Sequence, residues 1–312
     1  MFDENKLSVV ISGPILGTKD DKKYYTREAC KSARSFFKKA EIILSTWEGE
    51  DVEGLDYDVV VFSQDPGPNE NDNINRQICS RLAGLKKASR TYTLAMRSES
   101  VIKNIAFTQY IDIYNKHDEY RKYCFLKHRV VIPASYPACR GELFHMGDWY
   151  YFGYTEDLIN IWDIPYMDDT LYNNDEDDLL YNPHRYFITE FVRKYYPLSF
   201  LKKKDINEEN REIYEAVLAE NFVITGFYEY GITSLKYPLS GSFFNRLFHK
   251  EVGYTFNEWK ELYNLYSNGN EEVKKTFEEK FMINICVPLK RSKVGQLFMR
   301  FRAKIFHLNY WE

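Results

Sequence analysis

The chain has 312 residues, enough for one large domain or two closely joined ones, and its 44% hydrophobic content is ample for a core. A net charge of −4 with 28% charged residues excludes a global electrostatic case for nucleic-acid binding. The five cysteines (Cys30, Cys79, Cys124, Cys139, Cys286) are odd in number and form no C-x-x-C pair, which excludes a disulfide framework or a cysteine zinc site and reads as reduced thiols.

Met1 to Lys6 is polar and runs directly into a strand, so no signal peptide is expected and a cytoplasmic location is. Leu7 to Ser12 is short, nearly all apolar and closed by Gly13-Pro14, the pattern of a strand buried on both faces. Tyr24 to Lys39 has helical spacing through Ala29, Ala33, Phe36 and Phe37. Glu41 to Thr46 and Asp58 to Ser63 are two further buried strands, and Asp65 to Asp72 has the turn composition of an exposed loop, a cover for a ligand or a plain surface loop. A helix is expected over Ile74 to Ala88, behind the polar entry Asn73, Asn75, Arg76 and Gln77, and a fourth strand over Tyr92 to Arg97. Ile102 to Tyr114 predicts a helix and Arg129 to Pro133 a fifth strand. Strands and helices that alternate in this way predict an α/β fold with an open, mainly parallel sheet flanked by helices. In such a sheet ligands bind beyond the carboxyl ends of the strands, which here carry Ser12-Gly13, Ser45-Thr46-Trp47, Ser63-Gln64-Asp65 and Arg97-Ser98-Glu99.

After residue 135 the pattern is less regular. A strand is expected over Tyr150 to Gly153, a short helix over Asp157 to Asp163, and further helices near 184–196, 208–220 and 256–280. Asp168 to Asp178 is acidic and turn-rich, a solvated loop or a set of carboxylates for a metal. Lys293 to Leu308 places Val294, Leu297, Phe298, Phe301, Ile305 and Leu308 on one face with Lys290, Arg291, Arg300, Arg302 and Lys304 mostly off it. Such a helix either docks on the domain or lies on an anionic membrane surface. The aromatic content of 17%, with 26 Tyr and 22 Phe, suits either an aromatic core or stacking on sugars and bases.

Two groups carry chemistry. Arg97 can fork onto a phosphate while Glu99 offers an oxygen to a divalent cation, although the same pair also describes a surface salt bridge. His145 and Asp148 are three apart, so the carboxylate can act as a general base with the imidazole as ligand or orienting group, and Trp149 adds a face for a sugar. The alternative is a buried Asp capping the following structure beside a satisfied His.

An ordered set of stretches then resembles the WavE family of bacterial lipopolysaccharide-synthesis proteins. They are Val9 to Pro14, Ala40 to Gly49, Asp65-Pro66-Gly67, Asn75 to Ile78, Met96-Arg97-Ser98, His145 with Asp148 to Gly153, and Asp157-Leu158 with Ile161 to Pro165. A weaker echo runs through Glu220 to Val223 and Gly231-Ile232. The resemblance implies a glycosyltransferase of GT-A-like fold, with an open mixed sheet and a helical C-terminal part. It would move a sugar from a nucleotide-sugar donor to a glycan or lipid-linked glycan in lipopolysaccharide or capsule synthesis, with no nucleic-acid partner. The donor half would be residues 1–135 and the acceptor half 136–312, within one continuous catalytic domain. Ser12, Gly13 and Trp47 would line the nucleotide site, Arg76, Arg97 and Ser98 would hold the diphosphate, and Trp149 would meet the acceptor. Asp148 would be the base, with His145 beside it, and Glu99 would take Mg²⁺ or Mn²⁺. Residues 290–308 would touch the inner face of the cell membrane. The family usually has Asp where this chain has Glu99, and Pro-Glu-Gln-Tyr where it has Pro183-His184-Arg185-Tyr186. The competing readings are a nucleotidyltransferase that makes an activated sugar, and a non-catalytic glycan-binding subunit of an envelope assembly.

Overall fold

The computed structural model describes residues 2–69, 73–114, 121–133, 142–170, 178–180, 182–226, 229–236, 253–281 and 284–285. The basic helix expected over 293–308, with its membrane surface, the acidic residues 171–177, Cys139 and Cys286 lie outside them.

The first half of the chain alternates as its apolar runs predict. Strand β1 (Leu7–Ser12) leads to helix α1 (Tyr24–Phe36), and β2 (Glu41–Trp47) and β3 (Val59–Ser63) lead to α2 (Ile74–Lys87) and β4 (Tyr92–Arg97). Every residue of β1 is buried, which explains a run with no polar alternation: both of its faces are covered. Strands β1 to β4 are parallel, in the spatial order β3-β2-β1-β4. Strand β7 (Tyr150–Tyr154) then lies antiparallel to β4, followed by β6 (Val130–Ile132) and β8 (Phe222–Ile224). The fold is therefore α/β, with one seven-stranded sheet in which, among the described strands, only β7 runs against the rest. Strands from both sides of residue 135 share this sheet.

The faces of the sheet can be told apart on β7. The ring of Tyr151 meets Trp162 of α4 (Thr155–Trp162), whereas its neighbour Phe152 meets Phe2 and Phe107 on the opposite face. Helix α2 shares the Tyr151 face and packs on β1, β2 and α4. Helices α5 (Pro183–Arg193), α6 (Glu208–Asn221), α7 (Phe256–Tyr266) and a short α8 (Phe277–Phe281) complete the described helical part, and α6 packs against both β8 and α7.

The expectations need correction in three places. The helix over 102–114 is instead the end of a short strand, β5 (Ser100–Ile102), a 3₁₀ turn at Ala106–Thr108, and α3 (Gln109–Tyr114). Strand β5 pairs with β9 (Ile232–Ser234) outside the main sheet, and neither β8 nor β9 is expected as a strand from its sequence. The helix over 256–280 is instead two, Phe256–Tyr266 and the short Phe277–Phe281.

Gly84 fixes the distance between α2 and the sheet. A Cβ there would come within 2.5 Å of Val10 Cγ1 and 2.9 Å of Ser45 Cβ. Alanine ordinarily stabilises a helix interior by about 0.5–1 kcal/mol over glycine, but overpacking costs about 1–3 kcal/mol, so the clash decides the sign. Gly84→Ala is expected to lower the urea midpoint, and an unchanged or raised midpoint would show that helix and sheet can part freely.

Candidate active site

Because β1 to β4 are parallel, their polar carboxyl ends lie along one edge of the sheet. Backbone and side-chain hydrogen bonds tie three of those ends together. Gly13 N–H donates to the Ser45 carbonyl (3.0 Å), Ser98 N–H to the Ser12 carbonyl (3.1 Å), and Ser98 Oγ to the Pro14 carbonyl (2.7 Å). Gly13 has φ 125°, and a Cβ on it would lie 3.1 Å from Ser98 Oγ. This tight turn after β1 therefore favours glycine twice, for its backbone conformation and for the closeness of Ser98.

The reversed direction of β7 brings a second segment to the same edge. Its first residue, Tyr150, pairs with Met96 of β4, so the residues just before it stand beside Arg97. Arg97 Nε lies 2.6 Å from Glu99 Oε1 and Arg97 Nη1 lies 3.1 Å from Asp148 Oδ2. Both carboxylates are buried, whereas the Arg97 side chain stays 31% exposed, so one accessible guanidinium caps two inaccessible anions. Burial alone would raise the Asp148 pKa, but Arg97 first, then His184 and Arg81, outweigh it and hold the carboxyl below its ordinary value.

Asp148 belongs to a loop whose backbone is held from several sides. Phe144 adopts φ 49°, uncommon for a residue with a side chain and a form of strain that collects at functional sites. Tyr214 OH donates to the His145 carbonyl (2.7 Å), Met146 N–H to the His184 carbonyl (3.0 Å), and Tyr151 OH to the Gly147 carbonyl (2.8 Å). The departure at Pro183-His184-Arg185-Tyr186 forms the start of α5. Asn182 Oδ1 caps it by accepting from His184 N–H (2.9 Å), and Arg185 Nη2 reaches Glu142 Oε2 (2.8 Å) at the base of the loop.

The expected site residues divide on their placement. Ser12, Gly13, Arg97, Ser98, Glu99 and Asp148 come together at the ends of β1 and β4, and Trp149 is half-buried beside them, in edge contact with Tyr230. His145 is fully buried with its ring 4.9 Å from that of His184, so in this conformation it cannot touch a ligand in the cleft. Trp47 ends β2 and is 8% exposed, leaving little face to stack on. Arg76 stands beyond the edge strand β3, gripped by Asp65 (Nε–Oδ1 2.8 Å) with Asn73 Oδ1 at 3.0 Å. Arg76 and Arg97 are held by different acids, Asp65 for the one and Glu99 with Asp148 for the other. The loop after β3 is anchored as well, since Asn69 Nδ2 donates to Asp169 Oδ1 (3.1 Å).

Arg81 is the site residue that the sequence reading missed. It projects from α2 at 3% exposure, donates from Nε to Ser12 Oγ (3.3 Å) and lies 4.8 Å from the centre of the Trp162 ring. Its spacing could have revealed it: Ile74, Ile78, Arg81 and Leu85 fall on one helical stripe, so this cation interrupts an apolar face.

In this conformation the Glu99 carboxylate faces Arg97, so it meets a divalent cation only once that ion pair opens. Arg97 holds both carboxylates of the cleft at ion-pair distance, Glu99 at 2.6 Å and Asp148 at 3.1 Å. Among the described residues, the group spaced to hold a metal is His128, Glu156 and Asp157. It lies at the opposite edge of the sheet, where β6 begins and β7 ends. There Asp157 accepts from His128 Nδ1 (2.9 Å) and Lys127 N–H (2.8 Å), which ties a turn to the start of α4.

A family model described as WavE lipopolysaccharide synthesis matches residues 7–293. No curated protein matches the chain. Among solved structures, the chain is similar to 4-diphosphocytidyl-2C-methyl-D-erythritol synthase from Anaerococcus prevotii at 12% identity, over 54% of this chain and 82% of that one, with a TM-score of 0.33.

The Asp148 pKa sets a pH dependence whose sign can be worked out. A carboxyl with a folded pKa below its unfolded value contributes stability above the ordinary value of 3.8, and loses it as pH falls through the folded pKa. Asp148→Asn should therefore melt below the wild type at pH 7, with the gap narrowing on acidification toward pH 3. A gap that stays constant with pH would count against an ionised, stabilising Asp148.

Proposed function

We propose that this chain, which belongs to the WavE lipopolysaccharide-synthesis family, is a glycosyltransferase that moves a sugar from a nucleotide-sugar donor to a growing surface glycan. The observation that carries the reading is Arg97, a partly exposed guanidinium over two buried carboxylates at the carboxyl edge of a mainly parallel sheet. Ligands of open α/β sheets bind at that edge, and a guanidinium there matches the bidentate geometry of a diphosphate.

In this reading the nucleotide lies along the ends of β1 and β4, against Ser12, Gly13 and Ser98. Arg97 turns from Asp148 and Glu99 toward the donor diphosphate. The developing charge on the leaving nucleoside diphosphate is what a fixed cation stabilises best, because it grows toward the transition state. Asp148, then relieved of its nearest cation, is the base for the acceptor hydroxyl, and Trp149 offers the acceptor sugar an apolar face. The proposed reaction needs no divalent cation at Glu99, because Arg97 supplies the counter-charge. Arg76, His145 and Trp47 act in this reading through the framework, by holding the loop after β3, the Asp148 loop and the end of β2.

The test is a thermal-shift screen with nucleoside diphosphates and their sugars, with and without Mn²⁺, followed by assays of sugar transfer from nucleotide sugars and of pyrophosphate release from nucleoside triphosphates supplied with sugar phosphates. At least one nucleotide should stabilise the wild type. Arg97→Ala should weaken that binding about tenfold or more, the loss expected of a charge-assisted fork. Asp148→Asn should lower transfer by about a hundredfold or more, while the nucleotide still binds. Pyrophosphate release without transfer would select the nucleotidyltransferase instead, and a wild type unmoved by every nucleotide would overturn the proposal.

A further inference from the structure

Arg81 has a position that packing does not explain. An arginine this buried loses its hydration, which must be replaced by partners or nearby anions. Its hydrogen bond to Ser12 Oγ is long, at 3.3 Å, and Nη1 has no hydrogen-bond partner among the described residues. The Trp162 ring at 4.8 Å supplies part of the compensation. Burial lowers the Arg81 pKa on balance, and Asp148 is the neighbour that opposes this most, ahead of Tyr151 and Glu99. The groups around Asp148 are thus Arg81 from α2, Arg97 and Glu99 from the end of β4, His184 from α5 and Tyr151 from β7.

We infer that Arg81 is a positioning residue of this site: a sealed cation, bonded to Ser12 in the register position beside Arg97, that serves as a second counter-charge to Asp148, so that the Arg97 guanidinium is transferable to a bound diphosphate. The inference rests on the donor-diphosphate reading of Arg97. Without Arg81, both carboxylates depend on Arg97, which then competes with the ligand for its own cation. With Arg81 in place, one cation remains below when the other turns outward. Arg81 is assigned no contact with the ligand, because its guanidinium lies behind Ser12 and against the Trp162 ring.

A double-mutant cycle separates this role from packing. Inorganic pyrophosphate is the probe, and its affinity and the melting temperature are measured for the wild type, Arg81→Met, Arg81→Lys, Asp148→Asn and the Arg81→Met/Asp148→Asn pair. Arg81→Met should bind pyrophosphate about tenfold more weakly, because Arg97 is retained by the carboxylates. Removing one of those carboxylates in the double variant should restore most of the affinity and raise the melting temperature above that of Arg81→Met. Arg81→Lys, which keeps the charge, should lie closer to the wild type than Arg81→Met does. Wild-type affinity in Arg81→Met, or a double variant no better than Arg81→Met, would overturn the inference. If Arg81→Met does not fold, recovery of folding in the double variant supports the counter-charge, and failure to recover refutes it. If the wild type itself does not bind pyrophosphate, the diphosphate reading of Arg97 falls, and the coupling in melting temperature still decides whether Arg81 balances Asp148.

Discussion

The site depends on one reversal of chain direction. Had β7 run parallel to β4, the residues before it would lie at the opposite edge of the sheet, where His128 and Asp157 meet. Running antiparallel, it sets Tyr150 against Met96 and delivers Asp148 to Arg97. The cost is that Asp148 and Glu99 are carried out of water, and an unpaired carboxylate there would be strongly destabilising. Arg97 and Arg81 meet that cost from two sides, one accessible and one sealed. Pairing between two strands thus dictates where Asp148 and Arg97 meet.

The aromatic residues make that arrangement rigid more than they furnish stacking faces. Tyr150, Tyr151 and Phe152 are fully buried, and their rings meet Phe2, Phe107, Trp162 and Tyr230 across both faces of the sheet. A second cluster, with Tyr110, Tyr114, Phe256, Trp259 and Tyr263, joins α3 to α7. The high tyrosine content is largely a core composition. Trp149, half-buried at the mouth of the site, is the one expected stacking residue that keeps a partly open face.

Strands β1 to β4 and helices α1 and α2 are legible because long apolar runs and 3.6-residue stripes are strong signals. The polar ends of those strands can be assigned to one cleft because parallel strands share an edge. The direction of β7 is not legible, since Tyr150 to Gly153 reads the same either way and its partner lies more than fifty residues earlier. Strands β5, β8 and β9 have three residues each, too few for a period to show. The echo at Glu220 to Val223 turns out to be architecture: Asn221 Oδ1 accepts from Phe125 N–H and Leu126 N–H, fastening the chain ahead of β6 to the end of α6. Arg76 misleads as a phosphate ligand because a cation at a helix entry looks the same in sequence whether it faces a ligand or an aspartate.

Arg97 and Arg81 also show why residue type alone does not define a role. Both are guanidiniums at the same end of the cleft, yet Arg97 is accessible and pairs with Asp148 and Glu99 at short range, while Arg81 is sealed against Ser12 and Trp162 and acts on Asp148 across a distance. A sealed cation keeps its effect on its neighbours whether or not a ligand is bound, because water cannot screen it. An accessible one can exchange an internal anion for an external anion at small net cost, since the charge-assisted hydrogen bonds it gives up are replaced by others of the same kind. The pair therefore divides two demands that a single arginine could not meet together: permanent neutralisation of buried acids, and a positive charge still available to a ligand.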